Sequence, residues 1–100
     1  MAAEGRVALV TGAQQGIGRA AAVALARAGA DVALNYLDDR TATEKAAAEI
    51  RAMGRRALVV QGDISRAAEV DAMVVAVGQG LGVPDILVNN AGVYPRSPFL

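Results

Sequence analysis

The sequence contains no cysteine, no histidine and no tryptophan. Without cysteine these residues can hold no disulfide, thiolate metal site or cysteine nucleophile, and without histidine they offer no imidazole ligand or histidine general base. The aromatic residues are two tyrosines and one phenylalanine, too few for a surface that binds ligands by stacking. The apolar residues are mostly alanine, valine and leucine, which suit close packing of helices on a sheet.

Neither sign of charge predominates, because ten acidic residues balance ten basic ones. No basic field is therefore available to attract nucleic acid or an anionic membrane. The N-terminal segment MAAEGR carries an acid where a signal peptide has its basic region. The most apolar stretch, residues 20–34, contains Arg27 and Asp31 and is too short to span a bilayer. We expect a cytoplasmic protein with no nucleic-acid, membrane or metal partner.

Apolar residues make up 54% of the chain and form four short runs. The runs are residues 6–11 (RVALVT), 31–36 (DVALNY), 56–61 (RALVVQ) and 85–89 (DILVN). Each run is nearly all apolar instead of alternating, which is typical of strands that are buried on both faces of a parallel sheet. The four runs are therefore predicted to be strands.

Three helical patterns separate the predicted strands. The first covers residues 16–28 and ends at Gly29, a residue type that adopts the left-handed C′ conformation without steric cost. The second begins near Thr41, which has the spacing of a capping box with Glu44, and ends at Gly54. The residues predicted to form the apolar faces of these two helices are Ile17, Ala21, Ala24, Leu25, Ala28, Ala46, Ile50 and Met53.

The third helix is predicted to begin after Ser65, a candidate N-cap, and to break at the glycines that begin with Gly78. Strands that alternate with helical crossovers predict an α/β fold with a parallel sheet and right-handed connections. In a Rossmann-type doubly wound sheet the strand order is 3-2-1-4, and a complete fold of this type has six or more strands. We therefore expect residues 1–100 to be the N-terminal portion of a single α/β domain whose second half is not among these residues.

A glycine-rich turn, TGAQQGIG at residues 11–18, connects the first strand to the first helix. A helix N-terminus presents unpaired N–H groups and a partial positive charge, both of which suit a pyrophosphate. We expect Gly12 to adopt a backbone conformation closed to other residues, Gly16 to let a ligand approach the backbone, and Gly18 to let the helix pack close to the first strand. Taken alone, the turn is equally consistent with a tight connection that binds nothing.

Polar or small residues also follow the third and fourth strands. The carboxylate of Asp63, which precedes Ile64, can accept a hydrogen bond from an amino group such as that of adenine, or it can cap the third helix. Residues 89–92 (NNAG) are small enough to let a cofactor pass close to the backbone. Because ligands of open α/β sheets bind at the carboxyl ends of the strands, the three segments are predicted to form one site.

Together these segments resemble the short-chain dehydrogenase/reductase family, which has T-G-x-x-x-G-[IL]-G, an adenine-binding Asp and N-N-A-G in this order. The resemblance covers essentially the whole chain and is strongest to 3-oxoacyl-[acyl-carrier-protein] reductases and their relatives. It implies an NAD(P)-dependent oxidoreductase that transfers hydride between nicotinamide and a carbonyl or secondary alcohol, including a 3-oxoacyl thioester. It also implies that the full-length protein is a homodimer or homotetramer.

The resemblance assigns roles to individual residues. Thr11 ties the turn to residues 89–92, Asp63 binds the adenine amino group, and the backbone of Ile64 lies alongside. The nicotinamide ribose is lined by Asn90, Ala91 and Gly92. The pyrophosphate and adenosine ribose are wrapped by Gly12, Gln14, Gln15, Gly16, Ile17 and Gly18.

The catalytic Tyr-x-x-x-Lys of the family is missing from these residues, because Tyr36 is followed four positions later by Arg40 and Tyr94 by Pro98. Its active-site Ser also lies in the C-terminal catalytic half, so residues 1–100 are expected to be the N-terminal portion of a single dinucleotide-binding domain without that half. The chain as written is therefore expected to bind a cofactor without catalysing hydride transfer. A non-catalytic dinucleotide sensor or fragment is the main alternative. An S-adenosylmethionine-dependent methyltransferase is a weaker alternative, since it normally carries an acid after the second strand and has no use for N-N-A-G.

Tyr36 occupies the position where NAD-selective members carry an acid that bonds to the ribose 2′-hydroxyl. Without an acid there, NADP(H) is favoured. NAD(H) is also admitted, because Gln15 stands where NADP-binding members often have a basic residue.

Overall fold

The computed structural model describes residues 2–14 and 16–90, which form four parallel strands joined by three helices. The strands are β1 (Val7–Thr11), β2 (Asp31–Tyr36), β3 (Ala57–Gln61) and β4 (Ile86–Asn89). The helices are α1 (Gly16–Arg27), α2 (Arg40–Ala52) and α3 (Ala67–Gly80). The sheet order is β3-β2-β1-β4, which confirms the doubly wound arrangement predicted from the sequence.

The strand register brings the carboxyl ends of the strands to one edge of the sheet. Thr11 at the end of β1 lies opposite Asn89 at the end of β4. Tyr36 at the end of β2 lies opposite Gln61 at the end of β3. The segments that follow these strands, including the glycine-rich turn, therefore share this edge.

Helices cover both faces of the sheet. Ala8 and Val10 of β1 face α1 and α2, whereas Val7 and Leu9 face α3. Every residue of β1 is buried, and so is every residue of β2 after Asp31, which confirms burial on both faces for the two central strands. The outer strands β3 and β4 are only partly buried.

The buried face of α1 differs from the predicted one. Its buried residues are Gly18, Ala22, Val23 and Ala26. The prediction was wrong for Ile17, which is 77% exposed, and for Ala24, which is also exposed, whereas Leu25 and Ala28 are partly buried against the core. Both the predicted and the observed face consist mainly of small residues, but the observed face is rotated around the helix onto Gly18, Ala22, Val23 and Ala26.

The capping-box prediction for α2 is also wrong. The N-cap is Asp39, whose side chain accepts a hydrogen bond from the backbone N–H of Ala42 at 3.0 Å. Thr41 lies inside the helix. A second bond stabilises this end, since Thr43 Oγ1 donates to the carbonyl of Asp39 at 2.9 Å.

The start and the end of α3 both differ from the prediction. The N-cap is Arg66 and has no side-chain capping bond. Ser65 is not the cap, because its N–H and hydroxyl both donate to the carboxylate of Asp63. The helix continues through Gly78, where an added Cβ would meet nothing within 4 Å, and the left-handed residue that follows it is Gly82 with φ 117°.

Candidate functional site

The glycine-rich turn is anchored to the end of β2. Gly12 has φ 64°, which confirms that it adopts the left-handed conformation expected of it. Its N–H donates to Oδ1 of Asn35 at 3.2 Å, and the N–H of Ala13 donates to the carbonyl of Asn35 at 2.8 Å. The turn is therefore positioned by the neighbouring strand as well as by β1, which leads into it.

Gly18 allows the first turn of α1 to lie directly on the glycine-rich turn. A Cβ at this position would lie 2.4 Å from the carbonyl oxygen of Gly12 and 2.8 Å from Nδ2 of Asn90. No side chain fits against a backbone oxygen at that distance. The expected close packing is confirmed, although the contact is with the turn after β1 instead of the strand itself.

The start of α1 is open on its outer side. A Cβ on Gly16 would meet nothing within 4 Å, and the large apolar side chain of Ile17 is 77% exposed. The first turn of α1 carries no acidic residue, so the helix's own side chains do not offset its partial positive charge. This arrangement leaves room for an anion at the N-terminus of the helix. Gln15, which was assigned to the same site, lies outside the described residues.

Thr11 connects the glycine-rich turn to the end of β4. Its hydroxyl donates to Oδ1 of Asn89 at 3.0 Å and accepts from the backbone N–H of Asn90 at 3.0 Å. The Asn90 side chain also reaches back, with Nδ2 at 3.5 Å from the carbonyl of Gly12. The link that the resemblance implied between Thr11 and the N-N-A-G segment is therefore present as far as Asn90. Ala91 and Gly92, the other two residues assigned there, lie outside the described residues.

Asn35 is a residue of this edge that sequence reasoning missed. It is 1% exposed, and its amide lies between the glycine-rich turn and the segment after β3. Oδ1 accepts from Gly12, while Nδ2 donates to the carbonyl of Gly62 at 3.1 Å. The available signal was an amide within the otherwise apolar run DVALNY. A buried amide in such a run requires hydrogen-bond partners, which the sequence alone does not identify.

Gln14 holds the loop between β2 and α2. Its Oε1 accepts from three consecutive backbone N–H groups, those of Leu37 at 2.8 Å, Asp38 at 3.2 Å and Asp39 at 3.3 Å. Its Nε2 donates to the carboxylate of Asp38 at 2.7 Å. The side chain of Gln14 thus joins the glycine-rich turn to the loop that follows Tyr36.

Tyr36 lies at the expected edge, at the end of β2, but its side chain is only 7% exposed. Its carbonyl accepts from the N–H of Gly62 at 3.0 Å, which aligns the ends of β2 and β3. The first exposed residue after β2 is Leu37, at 52%. The nearby carboxylate is that of Asp38, which bonds to Gln14.

Asp63 follows β3 at the same edge and caps the turn before α3. Its Oδ1 accepts from the hydroxyl of Ser65 at 2.7 Å and from its N–H at 2.9 Å, while Arg66 lies 3.9 Å from Oδ2. The bonds from Ser65 and the charge of Arg66 hold the pKa of Asp63 below its usual range. The group is therefore a carboxylate at neutral pH. Ile64 is partly buried against the apolar cluster under α3.

The described residues of the site thus bring a glycine-rich helix start, side-chain amides and carboxylates to one sheet edge. The sequence profile of the short-chain dehydrogenase family matches residues 6–100. The chain belongs to this family of oxidoreductases. The match argues against the methyltransferase alternative.

Several curated relatives are similar over most of this chain. An L-rhamnose 1-dehydrogenase (NAD(P)(+)) from a Sphingomonas species is 43% identical over 97 residues, which is 97% of this chain and 38% of the relative. A 3-oxoacyl-[acyl-carrier-protein] reductase from Synechocystis is 46% identical over 88% of this chain and 36% of its own length. The chain therefore spans about two fifths of the length of these relatives.

Solved structures agree with the fold. A short-chain dehydrogenase from Burkholderia cenocepacia, in complex with NADP, superposes with a TM-score of 0.88 at 41% identity. The superposition covers 97% of this chain and 40% of that one. In the part of the chain that the structure describes, no helix has the length and apolar character needed to cross a bilayer. Within residues 2–14 and 16–90, no group of three metal-ligating side chains is found.

Proposed function

We propose that this chain is the N-terminal, cofactor-binding part of a longer NAD(P)-dependent oxidoreductase that reduces a carbonyl group or oxidises a secondary alcohol. The observation that carries the proposal is the packing of Gly18 on the carbonyl of Gly12 and on Asn90. This packing gathers the glycine-rich turn and the end of β4 at one helix N-terminus. In open α/β folds, that is where a dinucleotide pyrophosphate binds.

The described residues fit a dinucleotide. The space outside Gly16 is open, and the start of α1 carries no acid that would repel a pyrophosphate. At the adenine end, Asp63 is an anionic acceptor, and its Oδ2 faces Arg66 only at 3.9 Å. An adenine amino group could therefore donate to this carboxylate. The chemistry of both ends matches the roles that the family resemblance assigns.

Each residue then has a defined task when the cofactor binds. The N–H groups at the start of α1 bind the pyrophosphate, Asp63 orients adenine, and Asn90 borders the nicotinamide ribose. Thr11 maintains the distance between the glycine-rich turn and the end of β4 through its hydrogen bonds to Asn89 and Asn90. The nicotinamide supplies the hydride, or accepts it in the reverse direction. The acid and base groups belong to the proposed C-terminal half.

The proposal is tested by titrating the full-length protein with NADPH and NADH and following the fluorescence of the reduced nicotinamide. Turnover is then measured with a panel that includes ketones, a 3-oxoacyl thioester and an aldose with NAD(P)⁺. A 3-oxoacyl thioester is our first substrate choice, because a Synechocystis relative is a reductase of that class. Saturable binding with turnover supports the proposal. Binding without turnover across the panel supports the sensor alternative, and absence of binding overturns both.

For cofactor choice, we propose a preference for NADP(H). Tyr36 offers no carboxylate to the ribose 2′-hydroxyl or against a 2′-phosphate. A related structure contains NADP, and one relative is named for use of either cofactor. Asp38 argues against a preference for NADP(H). Its carboxylate lies in the loop after Tyr36 and would repel a 2′-phosphate nearby.

Two substitutions test this preference from opposite sides. Tyr36→Asp should raise the ratio of kcat/KM for NADH to that for NADPH, because it adds an acceptor for the 2′-hydroxyl and a charge against the phosphate. Asp38→Asn should lower the same ratio, since it removes a negative charge. Tyr36→Phe is the matched control and should leave the ratio unchanged. If the ratio does not rise in Tyr36→Asp, the assignment of this position to the ribose is wrong.

The proposal extends to assembly and location. We propose that the full-length protein is a homodimer or homotetramer, as the family resemblance implies, and that it is located in the cytoplasm, as expected from the sequence. Sedimentation equilibrium of the full-length protein tests the assembly, and a monomer at micromolar concentration would contradict it.

A further inference from the structure

We infer that Asn35 is a positioning residue that couples the pyrophosphate-binding turn to the adenine-binding segment. The inference rests on the proposed dinucleotide function and adds to it a residue that would touch no part of the cofactor. The role follows from one buried amide that bonds to both segments at once.

The amide of Asn35 is held by partners on two sides. Oδ1 accepts from the N–H of Gly12 at 3.2 Å, and Nδ2 donates to the carbonyl of Gly62 at 3.1 Å. Nδ2 also lies 3.4 Å from the carbonyl of Val60. The side chain is 1% exposed, so water does not substitute for these partners. The two segments it joins are separated from each other by about fifty residues of sequence.

We call the link that the Asn35 side chain makes between Gly12 and Gly62 the bridge. Its chemistry requires an amide. One end must accept from an N–H and the other must donate to a carbonyl, which an amide of this length does. An aspartate offers acceptors at both ends, so it would face the Gly62 carbonyl with a second oxygen. A leucine offers neither group and would leave the N–H of Gly12 and the carbonyl of Gly62 without this partner.

The backbone of the same strand end reinforces the bridge. The carbonyl of Asn35 accepts from Ala13 at 2.8 Å, and the carbonyl of Tyr36 accepts from Gly62 at 3.0 Å. Gly62 directly precedes Asp63, whose carboxylate is the proposed adenine acceptor. A shift of Gly62 would therefore move Asp63 relative to the start of α1. The amide thus sets the spacing between the pyrophosphate and adenine ends of the site.

The test is a double-mutant cycle on NADPH affinity in the full-length protein, with Asn35→Asp and Asp63→Asn. We expect Asn35→Asp to weaken binding roughly 10-fold to 100-fold, the range for loss of a buried hydrogen bond. Because Asn35 acts through the segment that carries Asp63, the double variant should lose less than the product of the two single losses. Asn35→Ser, which introduces no buried carboxylate, is the second variant and should weaken binding in the same direction.

Ile50→Ala is the matched control for stability. Ile50 is fully buried in α2, in the apolar cluster between α1, α2 and the sheet, so its truncation should lower Tm without changing NADPH affinity at temperatures below unfolding. Unchanged affinity in the Asn35 variants, or losses that multiply fully with Asp63→Asn, would overturn the inference while leaving the proposed function intact. Failure of the wild-type protein to bind any dinucleotide would overturn the proposed function and the inference with it.

Discussion

Replacement of Gly18 by alanine is expected to damage both the fold and the site. The added Cβ would lie 2.4 Å from the carbonyl oxygen of Gly12, where ordinary contact begins near 3.4 Å, so the start of α1 must move by about 1 Å. Strain of this kind costs about 1–3 kcal/mol. Alanine regains about 0.5–1 kcal/mol because it loses less backbone entropy than glycine in a helix. The net loss of stability should be about 1–2 kcal/mol.

The same displacement should weaken dinucleotide binding. The N–H groups at the start of α1 would move by about 1 Å relative to the pyrophosphate, enough to lengthen charge-assisted hydrogen bonds that contribute about 1.5–3 kcal/mol each. We therefore expect the Kd for NADPH to rise roughly 10-fold or more. The measurements are urea unfolding and fluorescence titration of the full-length protein.

Alanine substitutions at two other glycines are matched controls that should both preserve stability but differ in their effect on NADPH affinity. Gly78→Ala adds a methyl group where nothing lies within 4 Å, inside α3, so it should preserve affinity and stabilise the fold by up to about 1 kcal/mol. Gly16→Ala also adds a methyl group in open space and should preserve stability. It should nevertheless weaken NADPH binding, because the methyl group would occupy the position proposed for the pyrophosphate. Unchanged NADPH affinity in Gly18→Ala, or a stability no lower than that of Gly78→Ala, would refute this reasoning.

Two more predictions concern Thr11 and Asp31. Thr11→Val should cost about 1–3 kcal/mol of stability and weaken NADPH binding, because it removes the hydroxyl that bonds to Asn89 and Asn90, whereas Thr11→Ser should retain both properties. Burial raises the pKa of Asp31, but hydrogen bonds from the Arg56 N–H at 2.9 Å and Nε at 3.0 Å outweigh it and hold the pKa below its usual range. This carboxylate therefore stabilises the fold above its unfolded-state pKa of about 4, and the contribution is lost as the pH falls through the lower folded-state value. The difference in unfolding free energy between wild type and Asp31→Asn should shrink as the pH falls from about 5 to about 2, and a constant difference would contradict the assignment.

Strand positions were predictable because burial in a parallel sheet leaves a local signature. The four apolar runs contain the observed strands with at most one extra residue at the start of each run. The strand order follows from the doubly wound arrangement that the glycine-rich turn and the helical crossovers indicate. The roles of Gly12 and Gly18 were predictable for a similar reason, since a left-handed φ and a close backbone contact both select glycine.

Helix faces and caps were less predictable. The face of α1 was assigned to Ile17, Ala21, Ala24, Leu25 and Ala28, but the helix packs on the sheet through Gly18, Ala22, Val23 and Ala26, because alanines lie on every side of it and local periodicity does not decide which side is buried. Thr41 matched a capping pattern, yet Asp39 is the cap because its carboxylate reaches the N–H of Ala42. In each case several residues satisfied the local rule, and the path of the chain into the helix decided among them.

The sequence by itself determined the alternation of strands and helices, the sheet edge that carries the site and the places where only glycine fits. These features depend on local periodicity and backbone conformation, which neighbouring residues specify. Only the tertiary structure decided that Gln14 binds the loop after Tyr36 and that Asn35 joins Gly12 to Gly62. Those contacts link residues more than twenty positions apart. The Asn35 contacts exist because the register of β2 between β1 and β3 brings its side chain within hydrogen-bonding distance of the residues that follow both neighbouring strands.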